Sequence, residues 1–297
     1  YEFGCTGVSG TDEDWNYKRK YEAWENVKLV NVMIEVIKQI QDYQEGIFEQ
    51  DINNDNIKEI IVVKNQDYYV FSKARGGRLL FWYDLERGIE IVGGGLGNNN
   101  NYPYYDGNIL LKPFTFKNYV RFMAPGPELQ KHIENTDYYV KYKALNDTLM
   151  KKNARDELVE ENIYNYDMNY KLNEMGEIVF SSGDFVKTIK IEQDGLYLTY
   201  DYPTDVEYLK VESEFQPDYF QVVNNGREIL EVNNLENQGE KEAKIISIYN
   251  KKSNIGIKVE NINPVLENEE QLSFMGIILI NYIGNGGSIK ISKFDNN

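Results

Sequence analysis

Oxygen-bearing side chains stand at alternating positions in Asp51-Ile52-Asn53-Asn54-Asp55-Asn56-Ile57-Lys58-Glu59. Asp51, Asn53, Asp55 and Glu59 can converge on one hard cation, and the Ile57 carbonyl can add a further ligand. Such an all-oxygen cage suits Ca²⁺. The loop departs from an EF-hand: Asn56 replaces the sixth-position glycine, and the last acid comes at the ninth position, not the twelfth. The other reading of these residues is a polar turn whose Asn and Asp side chains bond nearby backbone.

The second chemistry on offer is aromatic. Aromatic residues make up 13% of the chain, with 24 tyrosines. Sugars stack their C–H faces on such rings while polar groups fix their orientation. Tyr102, Tyr104 and Tyr105, beside the run Asn98–Asn101 in a long Gly/Asn-rich loop, form one candidate glycan-binding cluster; Trp82 with Tyr83 forms another. Rings in strand-like segments also fill cores, and Tyr is a favoured strand residue.

Other chemistries are poorly served. One histidine, His132, and one cysteine, Cys5, effectively exclude His/Cys zinc sites and allow no internal disulfide. Cys5 reads as a small buried residue. The run Gly93-Gly94-Gly95-Leu96-Gly97 lacks the GK[ST] ending of a phosphate loop. Glycoside hydrolysis needs two carboxyls across one sugar. Glu2, Asp12, Glu13 and Asp14, or Glu212 and Glu214, lie close in sequence, but among 48 acids such proximity is commonplace. A net charge of −16 with no basic stripe argues against nucleic acid and anionic membranes. A neutral glycan is compatible with that field. No apolar run reaches the length of a membrane span.

The elements that must position these residues follow from periodicity. Thr11-Asp12-Glu13-Asp14 has capping-box spacing. Trp24, Val27, Val30, Ile34 and Ile37 recur at helical steps, predicting a long helix over 14–43 that ends by Gly46. Beyond Gly46 the period becomes two. Strands are expected at 60–63, 68–72 and 79–83, then in a succession of short runs from 178 to 292, beginning with Phe185–Ile191 and Leu196–Tyr200. Leu145–Tyr164 reads as partly helical. The expected organisation is a helical segment, 1–46, and a β-sandwich domain, 47–297, with a helical insertion near 145–165. The fold class is mainly β with α. Because residue 1 is tyrosine, the chain is expected to be a processed product or a fragment.

One order of features points to a family. Asp14-Trp15 and Tyr21-Glu22-Ala23-Trp24-Glu25-Asn26-Val27 lead into Asp51-Ile52-Asn53-Asn54-Asp55. Lys58-Glu59-Ile60-Ile61-Val62 and Gly76-Gly77-Arg78-Leu79 follow. This resembles the C-terminal half of glycoside hydrolase family 57, the α-amylase and 4-α-glucanotransferase group. Leu196–Tyr200 and Val211–Phe215 resemble paired strands of its sandwich. The likeness spans about residues 12 to 90 and, more weakly, 178 to 225. It implies a long helix packed on a large mutarotase-like β-sandwich, or supersandwich, following a catalytic barrel. No segment here has the strand-helix alternation of such a barrel, so neither family carboxylate can be carried over. The resemblance implies a non-catalytic part of an enzyme acting on α-glucans, with the catalytic domain of the same parent protein as partner. Two alternatives stand beside it: a freestanding carbohydrate-binding or structural cell-envelope module stabilised by calcium, and an independent mutarotase-like enzyme, for which a single surface-like His132 is a poor endowment.

Overall fold

The computed structural model describes residues 30–52, 57–73, 76–92, 145–163, 166, 168–215, 222–224, 229–231, 245–273 and 276–295. Among them the protein is mainly β, with one α-helix, α1 (30–41). A first antiparallel sheet runs β1 (Gly46–Gln50), β2 (Glu59–Lys64), β3 (Asp67–Phe71), β4 (Leu79–Asp84) and β5 (Ile89–Val92) in sequence order. The second sheet has twelve strands. They are β6 (Asn146–Lys152), β7 (Leu158–Asn162), β8 (Asn169–Leu172), β9 (Ile178–Ser182), β10 (Phe185–Ile191) and β11 (Gly195–Asp201), then β12 (Val206–Glu214), β13 (Val222–Asn224), β14 (Ile229–Glu231), β15 (Ile245–Tyr249), β16 (Ile255–Ser273) and β17 (Gly276–Asp295).

The inner strands β2, β3 and β4 of the five-stranded sheet are covered on both faces, which is why they read as nearly unbroken apolar runs. Ile60, Val62, Tyr69 and Phe71 join the core shared with the large sheet. Ile61, Val63, Tyr68 and Val70 face the other way, onto Val32 and Val36 of α1. A bulge sets β4: Val70 pairs with Phe81 but Phe71 with Leu79. The extra residue turns Leu80 and Phe81 both toward the helix layer and leaves Leu79 and Trp82 in the shared core. The layers are therefore helix, small sheet, large sheet, a sandwich-like arrangement. The β2–β3 turn has positive φ at both Asn65 (55°) and Gln66 (64°), the geometry that suits a two-residue hairpin. Gln66 tolerates it with its N–H donating to the Tyr43 hydroxyl (2.9 Å), while the Asn65 amide donates across to the Glu192 carbonyl on the large sheet (2.9 Å).

The large sheet branches at β17. Its first half pairs with β12 from Ile278 to Ile283, its second half with β11 from Ser288 to Ser292, and β16 runs along its other edge. One arm continues β11-β10-β9-β8, the other β12-β6-β7. At the branch, where no strand pairs with the backbone, Asn285 substitutes its side chain: Oδ1 accepts from Tyr202 N–H and Nδ2 donates to Tyr202 C=O, both at 3.1 Å. The Tyr202 hydroxyl donates to the Ile283 carbonyl (2.8 Å). Past the branch, β11 and β17 approach so closely at Gly195 that a Cβ there would collide with the Ile291 carbonyl.

Two expectations need correction. Leu145–Tyr164 holds no helix: its described residues form the β6–β7 hairpin. The Ala/Arg/Glu-rich centre suggests helix, but Asn153 Oδ1 accepts the N–H groups of Arg155 (2.8 Å) and Glu157 (3.1 Å), which builds a turn. Pairing of β6 with β12 does the rest. The helix stops at 41, and Gly46, expected to end it, opens β1, where a Cβ would press on the Phe48 ring. The chain before residue 30, including most of the expected helix, lies outside the described residues.

Candidate functional site

Of the aromatic residues singled out in the sequence, Trp82 is not a sugar platform. It is fully buried, its Nε1–H donates to Asp67 Oδ1 (2.9 Å), and its ring packs 5.2 Å from that of Tyr69. The cause is the bulge, which turns it inward. Tyr83 stacks on Phe81 on the helix side. Tyr102, Tyr104 and Tyr105 lie outside the described residues. So do Asn53 and Asp55 of the oxygen-rich loop; Asp51, Ile57 and Glu59 lie within them. Glu59 is buried at the head of β2, and its Oε2 accepts the Ile52 N–H (3.0 Å), closing the loop on itself. Among the described residues no group of three His, Cys, Asp or Glu side chains is placed to hold a metal.

Among the described residues, a further candidate site is one the sequence does not announce. On the large sheet, Ile189, Leu196, Leu198, Ile289 and Ile291 point into the core. Alternation sends Thr188, Lys190, Tyr197, Thr199 and Lys290 to the opposite face. There Glu177, Thr188, Lys190, Glu192, Tyr197 and Thr199 line an open groove of about 410 Å³, within the usual size of small-ligand sites. Strand register sets its order. Lys190 pairs with Tyr197, Tyr197 with Lys290, and Lys290 with Glu260. One step along the strands, Thr188, Thr199 and Ser288 form a row of hydroxyls.

The groove's charges are neutralised in place. Glu192 Oε1 meets Lys190 Nζ at 3.0 Å and Oε2 meets Lys290 Nζ at 3.2 Å; Asp194 adds a contact to Lys290 at 3.1 Å. The hydrogen bond from Lys190, then that from Lys290, hold the Glu192 carboxyl below its usual range against the opposing effect of burial. Glu192 is thus ionised at neutral pH and unsuited to general acid work. Glu177 accepts from the Asn173 amide (2.7 Å) across a tight turn. The arrangement can offer a ring face, hydroxyls and satisfied charges, the features of a binding surface.

Two buried ionic clusters flank the shared core. Lys187 and Asp147 are wholly buried, 2.6 Å apart, and Lys187 also donates to the Leu145 carbonyl (3.1 Å). The Tyr200 ring lies 5.9 Å from its ammonium. Burial pushes Asp147 up to about 6, with Lys187 working against it, and drives Lys187 down. This pair joins β10 of one arm to β6 of the other. The second cluster ties the two sheets together: Lys293 Nζ lies 2.9 Å from Asp67 Oδ1 and 3.0 Å from Asp84 Oδ2, and Arg87 bridges Asp84 to Asp295.

No family model and no curated protein matches the sequence. Solved structures resemble its fold. A 4-α-glucanotransferase from Thermococcus litoralis aligns with 88% of this chain at TM-score 0.55 and 13% identity. The likeness is one of fold. The chain spans 41% of that enzyme's length. A galactose mutarotase-like protein from Clostridium acetobutylicum aligns with 86% of this chain and 100% of its own, at TM-score 0.47 and 10% identity.

Proposed function

We propose that this chain is the non-catalytic, C-terminal β-sandwich part of a family 57-like glycoside hydrolase or glucanotransferase, binding α-glucan or another neutral glycan. The carrying observation is the groove: Tyr197 stands between two lysines whose charges are already neutralised, beside a row of hydroxyls. A neutral sugar can stack on the ring and exchange hydrogen bonds with Thr188 and Thr199 without leaving a charge unpaired. The fold likeness to a glucanotransferase supports an α-glucan as ligand. The exposed apolar row Val30, Ile34, Ile37 and Ile40 on α1 supports a neighbouring catalytic domain of the same parent protein as partner, since such patches mark interaction surfaces.

Calorimetry with maltohexaose tests the groove. Tyr197→Ala is expected to weaken binding about tenfold, the worth of one good ring contact. Tyr104→Ala is the parallel test for the Tyr102–Tyr105 loop. Undiminished affinity in Tyr197→Ala would remove the groove from the binding site, and the same result in Tyr104→Ala would remove the loop.

The bond from the Ile52 N–H to Glu59 favours one addition: calcium held by Asp51, Asn53, Asp55, the Ile57 carbonyl and Glu59. At free calcium a hundredfold above Kd, binding to the folded state alone stabilises by about 2.7 kcal/mol. Thermal melting should therefore fall on EDTA treatment and recover with Ca²⁺ in the native protein, and ignore both in Asp51→Ala. A native melting temperature blind to EDTA rejects the metal.

A further inference from the structure

We infer that the groove is walled at its hairpin end, so that it receives the terminus of a glycan chain and not a stretch from the chain's interior. This rests on the glycan reading of the groove. Lys190 and Lys290 are two strands apart, either side of Tyr197, a separation of roughly 10 Å between backbones. A single carboxylate nevertheless touches both ammoniums, at 3.0 and 3.2 Å. Glu192 follows Lys190 by two residues, so the contact that spans β11 is the one between Glu192 and Lys290, and Lys190–Glu192–Lys290 forms a continuous bar from β10 to β17 at the Tyr197 end of the groove.

The bar is anchored. The Glu192 N–H donates to the Gly195 carbonyl (2.8 Å), and its own carbonyl accepts from Asn65 on the small sheet (2.9 Å). Asp194 holds Lys290 from the far side. A sugar chain lying along the ring meets this bar at the turn and stops there. Each ammonium carries three donors and the carboxylate several lone pairs, so the bar can still bond the additional hydroxyl that only a chain end presents. An interior unit has a glycosidic linkage in that place, and its continuation would have to break the ion pairs.

The test compares linear maltohexaose with ring-closed cyclomaltohexaose, which has the same units and no ends, by calorimetry on the full chain. The native protein should bind the linear sugar more tightly by roughly tenfold, a specificity made by obstruction. Glu192→Gln, a surface change checked by an unaltered melting curve, should let the ring in and reduce the ratio to about threefold or less. Equal affinities in the native protein, or an unchanged ratio in Glu192→Gln, overturn the wall and leave the groove standing. If neither sugar binds in a Tyr197-dependent manner, the groove reading fails and the wall with it.

Discussion

Lys187→Met is expected to cost about 3–5 kcal/mol of stability at pH 7, the usual penalty for stranding one member of a buried ion pair. Asp147 would remain at 0% exposure with its closest cation gone. Replacing both, Lys187→Met with Asp147→Leu, should restore most of the loss, because the pair's own desolvation cost disappears with it. Urea denaturation of the two variants decides this, and a single variant within 1 kcal/mol of the native protein would show that Asp147 is not stranded. The pH dependence carries a sign. The folded pKa of Asp147, about 6, lies above its ordinary value of 3.8. Its contribution is therefore fully present below pH 3.8 and lost as pH rises through 6. Lys187 is shifted down, so its contribution is present above its ordinary value of 10.5 and lost as pH falls through the folded one. Between pH 4 and 6.5 the native protein should lose stability relative to the double variant, and the penalty in Lys187→Met should be smaller at pH 4, where Asp147 is protonated.

Lys293→Met should cost a similar amount, about 3–5 kcal/mol, for a different reason. Among the described residues, Lys293 is the cation that touches both Asp67 and Asp84. Burial raises Asp67, opposed by Lys293. For Asp84 burial is again the largest influence, but the backbone and guanidinium of Arg87, then Lys293, together outweigh it and hold the group low. Asp67 thus contributes stability that is lost as pH rises, and Asp84 stability that is lost as pH falls. Without Lys293, Asp67 keeps, among the described residues, side-chain hydrogen bonds from Trp82 (2.9 Å) and Tyr69 (3.2 Å), and the cost should shrink in acid as it takes up a proton. Hydrogen exchange should quicken in β3 and β4, which the cluster pins to β17; protection equal to that of the native protein would contradict this. The outer limb, Arg87 to half-exposed Asp295, should contribute only about 0–1 kcal/mol.

The residues behind both effects carried a signal in the sequence. Lys187 is in phase with Phe185 and Ile189, Asp147 with Leu145 and Leu149, and Asp67 with Tyr69 and Phe71. A charge on the apolar face of an alternating strand marks a buried ion. Its partner is not legible, because Lys187 and Asp147 are forty positions apart on arms whose strand pairing is connected through β17. Alternation finds the strands where one face is wet: β10 has the bounds its pattern implies, and β11 extends the expected Leu196–Tyr200 by one residue at each end. It misjudged Trp82 because Leu79–Tyr83 is apolar without a break, which signals a strand covered on both sides. Tyr197 passed unnoticed for the same kind of reason as Lys187's partner. Nothing near it in sequence shows that lysines from β10 and β17 will stand on either side.

The branch at β17 also governs when this protein can acquire its shape. Residues 276–295 are the common neighbour of β11, β12 and β16, yet they are made after all three. During synthesis on a ribosome those strands wait with bare edges, and such edges are templates for wrong partners. Assembly of the large sheet is therefore a late, long-range event, and a nascent chain halted before residue 276 is a natural client for a chaperone.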